Sequence, residues 1–465
     1  MENKFAPIST SDSSVFLNHH SEVTSSSVED INGRKVVVLR VAGGSRHGAI
    51  TAYDADTMKQ SVQLSGKLGI PFLIILNTSG SDITEGPIGL HVWGSFAAEL
   101  ARLSGVVPTV AIVAGACVSG PSLILGLVDF VISTKDAFAY VSGPGSVSEF
   151  TGVTVTKEDL GSAQLLATSG VASLAAEDEA EALEVYESLL EFLPDNHLCD
   201  VPLAFCDDDP ERESTGARAA VPDSVSAGYD MREVLADVFD EDSVLEIRPA
   251  YAPNMLTCFA TLNGRSVGII ANQPIARAGT IDIEASRKAA RFVSICDAYN
   301  IPLITFVDTP GFEPGKDLEW RGMIRHGAEL VYAYAAASVP RLCLIVRKSY
   351  GGAYIVMDSK NLGNDWCGAW PTSEIAVMGA SGAVAILNRK EIAAVDTDEE
   401  KAVVRDRLIK EYEEKFSNPN QAGELGYVDA IIEPLATRAI LVRVLESLIS
   451  KKEEPQMRKH GNSPL

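Results

Sequence analysis

Arg347-Lys348-Ser349-Tyr350-Gly351-Gly352-Ala353-Tyr354 follows an apolar run introduced by proline, Pro340 through Val346. The same chain holds an altered version, Ala114-Gly115-Ala116-Cys117-Val118-Ser119-Gly120-Pro121, after the run Pro108 through Val113. A buried strand that ends in small residues and then opens a helix aims backbone N–H groups outward. Such a turn is a cradle for a negatively charged oxygen. Two cradles in one chain suggest two anionic intermediates, or two reacting carbonyls held together.

Working outward, the cradles are parts of a longer repeat. Gly69-Ile70-Pro71-Phe72-Leu73-Ile74-Ile75-Leu76-Asn77-Thr78-Ser79-Gly80 is echoed by Asn300-Ile301-Pro302-Leu303-Ile304-Thr305-Phe306-Val307-Asp308-Thr309-Pro310-Gly311. Pro71 recurs as Pro302 and Pro108 as Pro340 at nearly the same spacing, so the order of elements has been duplicated. Each half reads as a helix, an apolar strand, a glycine-rich loop, a second helix, another apolar strand, the cradle and a further short strand. In the second half Ala289, Phe292, Val293 and Cys296 mark one helical face. Strands alternating with helices predict a largely parallel sheet covered on both faces, an α/β architecture. The aperiodic stretch from Cys206 to Ala227, rich in Asp, Pro, Ser and Arg, reads as the linker. The expected organisation is therefore a mobile polar tail over 1–27, a first domain over 28–226 and a second over 227–465.

Composition narrows the function. The 465 residues are enough for two full cores, and 46% are apolar. No uninterrupted apolar run reaches the ~18 residues of a membrane span, and the serine-rich start lacks the order of a signal peptide. The seven cysteines are scattered without a C-x-x-C pair, against a zinc ribbon or a disulfide framework and in favour of a reducing cytoplasm. No metal site is expected. A net charge of −24 without a basic stripe disfavours nucleic acid. No G-x-x-x-x-G-K-[ST] loop is present, which argues against nucleotide hydrolysis.

Several runs resemble the carboxyltransferase β subunit of biotin-dependent acyl-CoA carboxylases, most nearly the propionyl-CoA carboxylase type. They are Gly268 through Pro274, Ile324-Arg325-His326-Gly327-Ala328, Arg347 through Tyr354, Ala369 through Ala380, and the terminal Arg458 through Leu465. The resemblance covers nearly all of residues 31–465. It implies two tandem crotonase-like domains and transfer of a carboxyl group from carboxybiotin to the α-carbon of an acyl thioester. It assigns the acyl-CoA side to the first domain and the biotin side to the second, contributed by opposite subunits of a hexamer. Gly352 and Ala353 would bind the biotin carbonyl, with Gly351, Tyr350, Tyr354 and His326 around it. Ser119 and Gly120 would hold the thioester carbonyl, with Gly80 nearby. The A-M-K-M attachment site is absent, so biotin is expected on another subunit, the biotin carboxylase/biotin carboxyl carrier (α) subunit.

The first half departs from the family's pattern. Where relatives read C-A-G-G-A, this chain has Cys117-Val118-Ser119-Gly120-Pro121. Ser119 and Gly120 keep their N–H groups, while Pro121 brings none. The Arg and one Gly usual after Asn77 are gone, and Leu166 stands where relatives have histidine. Ile355 replaces a usual aspartate at a position that lines the acyl pocket in the family. These changes point either to an unaltered activity in a divergent branch or to a different acceptor, an unusual acyl-CoA or an acyl-carrier-protein thioester. Two other functions compete: a malonyl- or methylmalonyl-type decarboxylase, and an inactive scaffold paralogue.

Overall fold

The computed structural model describes residues 19–416, 418–453, 459–462 and 464. Its contacts divide it into two units, the first reaching Pro202 and including Arg248–Tyr251, the second comprising Leu203–Ile247 and the chain from Ala252 onward. The first unit carries β1 (His19–His20), β2 (Thr24–Ile31), β3 (Arg34–Val41), β4 (Phe72–Thr78), β5 (Thr109–Val118), β6 (Phe130–Thr134), β7 (Phe138–Tyr140) and β8 (Leu174–Ala176). The second carries β9 (Leu245–Glu246), β10 (Met255–Leu262), β11 (Arg265–Asn272), β12 (Leu303–Thr309), β13 (Arg341–Tyr350), β14 (Trp366–Ala369), β15 (Glu374–Ala376) and β16 (Ala430–Ile431).

The two sheets repeat one topology. The first runs β1-β2-β3-β4-β5-β6-β8 with β7 on β5, and the second runs β16-β14-β13-β12-β11-β10-β9 with β15 on β13. The strands from β3 to β6 and from β11 to β14 are parallel, as the alternating pattern requires. These are the tandem crotonase-like domains of an α/β fold. Central strands such as β12 are buried along their whole length, so both faces are covered and the sequence reads as an unbroken apolar run.

In each half an antiparallel hairpin precedes the helix that the sequence pattern put first, and in the second unit the helices Thr215–Ala220 and Met231–Val238 come before that hairpin. Ile31 pairs with Arg34 across Asn32-Gly33, and Leu262 pairs with Arg265 across Asn263-Gly264. Both turns have positive φ at both central residues, the geometry for which Asn-Gly is the standard sequence. The polar tail expected over 1–27 lies outside the described residues as far as Asn18. From Thr24 onward the chain is strand, with Thr24, Ser26 and Val28 turned inward. Its inward hydroxyls are satisfied from the helix Ala52–Leu68: Ser61 Oγ bonds Ser26 Oγ at 2.7 Å, and Thr24 Oγ1 donates to buried Asp54 at 3.0 Å. A polar run can therefore be core strand, because its polar atoms have partners. Of the terminal run, Arg458, Ser463 and Leu465 lie outside the described residues.

The stretch 206–227, aperiodic in sequence, belongs to the second unit and is tied to it by Arg438. This fully buried side chain donates to Asp240 Oδ1 at 2.7 Å, to the Val238 carbonyl at 3.0 Å and to the Asp209 carbonyl at 3.0 Å. Asp240 also accepts the N–H groups of Asn263 (2.9 Å) and Gly264 (2.8 Å) at the hairpin turn. One guanidinium thus joins the helix Thr437–Leu448, the 203–247 segment and the β10–β11 turn. Among the described residues no helix is long and apolar enough to cross a membrane.

Replacing Arg438 by Met leaves the Asp240 carboxylate buried without its cation. The expected loss is about 3–5 kcal/mol of stability, read as a lowered midpoint in urea unfolding. An unchanged midpoint refutes the role given to this pair.

Candidate active site

In each half the central strand serves two neighbours in succession. Val110–Val113 pair with β6, and Ala116–Val118 then pair with β7. In the second unit Leu342–Ile345 pair with β14 and Lys348–Tyr350 with β15. The change of partner coincides with a break in the ladder to the preceding strand, between Leu76 and Thr78 in one half and between Val307 and Thr309 in the other.

An Asx side chain holds each break. Asn77 Oδ1 accepts the Ala116 N–H at 3.1 Å, and Asp308 Oδ1 accepts the Lys348 N–H at 3.2 Å. The Asn77 amide lies where a Cβ on Gly115 would be, 2.7 Å from that position, so only glycine fits there. In the second half Arg347 stands instead, its Nε bonded to Asp308 Oδ2 at 2.9 Å. Its other end donates to the carbonyls of Ser224 and Ala227, both at 2.9 Å, and lies 4.9 Å from the Tyr229 ring centre. Arg347 is buried and its partners are internal, so it steers no substrate. Half-buried Lys348 is left beside it, its pKa lowered chiefly by burial.

The ladder sets the equivalence of the cradles. Thr78 pairs with Cys117 and Thr309 with Ser349, which aligns Ser119 with Gly351, Gly120 with Gly352 and Pro121 with Ala353. Ser119 and Gly351 are both in the left-handed half of backbone space, at φ 64° and 59°. This turn reverses the chain so that the next N–H groups face out of the strand's end. In the second unit Gly352 and Ala353 open the helix Gly351–Val356, where the first N–H groups have no intrahelical acceptor.

The first cradle differs from expectation. The Ser119 N–H, read as one of its donors, is committed to the Tyr140 carbonyl at 2.9 Å as an extension of the β5–β7 ladder. The residue aligned with Ala353 is Pro121, which has no N–H. Gly120 is thus the one backbone donor at the first cradle. Gly80 lies alongside, since a Cβ there would come 3.3 Å from Ser119 Cβ.

Around the second cradle the candidate residues fall into two groups. Tyr350 donates its hydroxyl to Glu374, and burial followed by that carboxylate pushes its pKa up. Tyr354 is half-buried with its pKa raised by burial, and its hydroxyl is buried without a hydrogen-bond partner. Ile355, next along the helix, is 51% exposed. His326, by contrast, uses both ring nitrogens internally, Nδ1 with Glu329 at 2.7 Å and Nε2 with Arg325 at 2.9 Å. It orders the start of the helix Met323–Ala336. Leu166, in the place of a familial histidine, is core packing at 5% exposure.

Two aromatic rings outside the candidate site residues stand against the glycines. Phe312 lies 3.2 Å from the position of a Cβ on Gly352, and Trp93 lies 3.4 Å from that on Gly120. Phe312 directly follows the Pro310-Gly311 loop and was findable from it; Trp93 comes from the middle of the helix Pro87–Leu103, with no local signal. No group of His, Cys, Asp and Glu that would hold a metal ion occurs among the described residues.

Comparison with known proteins meets the same arrangement. A family model described as the carboxyl transferase domain matches residues 25–463. The methylmalonyl-CoA decarboxylase subunit alpha of Veillonella parvula is 41% identical over 437 residues, 94% of this chain and 84% of that protein. The propionyl-CoA carboxylase carboxyltransferase subunit of Haloferax mediterranei is 42% identical over 438 residues, with the same coverage of 94% and 84%. A solved structure of transcarboxylase 12S, a hexamer with methylmalonyl-coenzyme A bound, matches with a TM-score of 0.92 at 39% identity, covering 96% of this chain and 85% of its own.

Ser119 occupies φ 64°, ψ −146°, a conformation that a side chain disfavours and glycine takes freely. Ser119→Gly is expected to stabilise the chain by about 1 kcal/mol, raising its thermal midpoint. A lowered midpoint sinks the strain argument.

Proposed function

The chain belongs to the carboxyl transferase domain family, and from that membership we propose how its two cradles divide one reaction. It is a carboxyltransferase of the propionyl-/methylmalonyl-CoA carboxylase type. The Gly352 and Ala353 N–H groups bind the ureido carbonyl of biotin, and the first cradle, at Gly120, binds the carbonyl of an acyl-CoA thioester. Carboxybiotin, carried on another chain, supplies the carboxyl group.

The observation that supports this reading is the matched pair of strand-end turns, each held by an Asx side chain, with Gly352 and Ala353 as backbone donors in one and Gly120 in the other. In net terms an N–carboxyl bond breaks and a C–C bond forms at the α-carbon, whose proton ends on the nitrogen that released the carboxyl group. Negative charge appears on both carbonyl oxygens as this happens. Fixed backbone dipoles stabilise that charge without reorganising, which explains why no nucleophile–histidine pair is needed. Tyr354, with its buried unpartnered hydroxyl and apolar ring, suits the wall of the biotin pocket. Half-exposed Ile355 gives the acyl pocket an apolar wall.

The partners that follow are a biotin carboxylase/biotin carboxyl carrier subunit and further copies of this chain, assembled as a hexamer with the two cradle types contributed by opposite subunits. The scattered cysteines, without a C-x-x-C pair, suit a reducing cytoplasm. A second reading, the same transfer run from the thioester, is favoured by the 41% identity to a methylmalonyl-CoA decarboxylase subunit.

The test is to incubate the purified chain with malonyl- or methylmalonyl-CoA, with and without free biotin, and follow loss of the carboxyl group. Biotin-dependent turnover is expected. Turnover indifferent to biotin, or none with any thioester, overturns the proposal. Ala353→Pro, which removes one N–H at a turn whose counterpart already holds proline, is expected to lower kcat about 10²–10³-fold without unfolding the chain.

A further inference from the structure

The first cradle has one backbone donor where the second has two, and what stands beside it is a donor of another kind. Of the atoms around Gly120, the nearest to its Cβ position is Trp93 Nε1 at 3.4 Å, ahead of Cδ1 at 3.5 Å and Cε2 at 3.9 Å. The nitrogen side of the indole therefore faces Gly120. Its N–H donates to no described residue, and the ring is half-buried, packed on fully buried Phe96 with centroids 5.6 Å apart. An indole N–H is a donor only, with nothing to offer but that proton.

The other half supplies the control. There Gly352 and Ala353 both carry N–H groups, and the ring against the glycine is Phe312, which has no donor. Where proline has removed the second backbone donor and Ser119 has given its N–H to Tyr140, the ring against the glycine carries one. The indole nitrogen thus lies beside the residue that carries this cradle's backbone donor.

We propose that the Trp93 indole N–H is the second donor of the first cradle, replacing the backbone N–H that Pro121 lacks, and that it contacts the thioester oxygen as the enolate forms. In that step the α-carbon–hydrogen bond breaks, its proton passes to the nitrogen that released the carboxyl group, and its electron pair moves through the carbonyl carbon onto the oxygen, where Gly120 and Trp93 share the charge. Run from the thioester, the same enolate forms as the α-carbon–carboxyl bond breaks and the carboxyl group passes to that nitrogen. The inference rests on the assignment of the first cradle to the acyl thioester. It also makes the Trp93–Pro121 pair one compensated change: either residue alone gives a different donor count.

Trp93→Phe keeps a ring on Phe96 and removes only the donor. It is expected to lower kcat for biotin-dependent decarboxylation of methylmalonyl-CoA about 10²-fold, with KM within about threefold. Pro121→Ala, placed in the same chain, restores a backbone N–H and is expected to recover most of the loss. A thioester analogue bearing a nitronate in place of the enolate gives a readout without turnover. Trp93→Phe should weaken its binding about 10²-fold while leaving binding of the plain acyl thioester unchanged. Full activity of Trp93→Phe, a loss that Pro121→Ala fails to rescue in a folded chain, or equal weakening of both ligands overturns the proposal. If the wild-type chain shows no turnover, the transferase reading fails, and the nitronate comparison still decides for or against Trp93.

Discussion

The molecule depends on a single local arrangement made twice: an Asx side chain bonded to the backbone where the central strand changes partner. Asn77 holds Ala116 and Asp308 holds Lys348. Without that bond the break in the ladder would leave a buried N–H unsatisfied, at a cost of about 1–3 kcal/mol. With it, the strand leaves one neighbour for another, ends in a left-handed residue and sends its next N–H groups outward. The cradle is thus a consequence of how the sheet is completed.

The two versions solve the same constraint with different chemistry. The first uses a neutral amide, admitted by the missing side chain of Gly115. The second uses a buried ion pair, Asp308 with Arg347, whose remaining donors are taken up by the carbonyls of Ser224 and Ala227 and whose face lies on Tyr229. Breaking a buried pair leaves a charge stranded, so the ion-paired version ties the 206–227 stretch to the cradle's support. Arg347 is thus an internal fastening. The same holds for His326, whose two nitrogens face Glu329 and Arg325.

Unequal donors follow from unequal ends. Tyr140 draws in the Ser119 N–H, Pro121 brings none, and a tryptophan from the helix Pro87–Leu103 lies against Gly120, whereas a phenylalanine from the loop after β12 lies against Gly352. A hole with one backbone and one side-chain donor keeps two contacts to an oxygen but shifts their angle.

The sequence by itself determined the duplication, the order of strands and helices from β4 to β7 and from β12 to β15, and the place of both cradles. These rest on short-range patterns: apolar runs, proline entry, small residues at a turn. It also held signals that went unread, the Asn-Gly turns of the two opening hairpins and the alternation in Thr24–Ile31, where inward hydroxyls disguised a core strand as a tail. Only the tertiary structure decided which N–H groups are free, because a donor's availability depends on an acceptor from elsewhere: Tyr140 for Ser119, or none for Gly120. It decided likewise that Arg347 and His326 are internal and that Trp93 faces Gly120. Residue types and spacing fix where a backbone turns; only packing fixes what each polar atom meets.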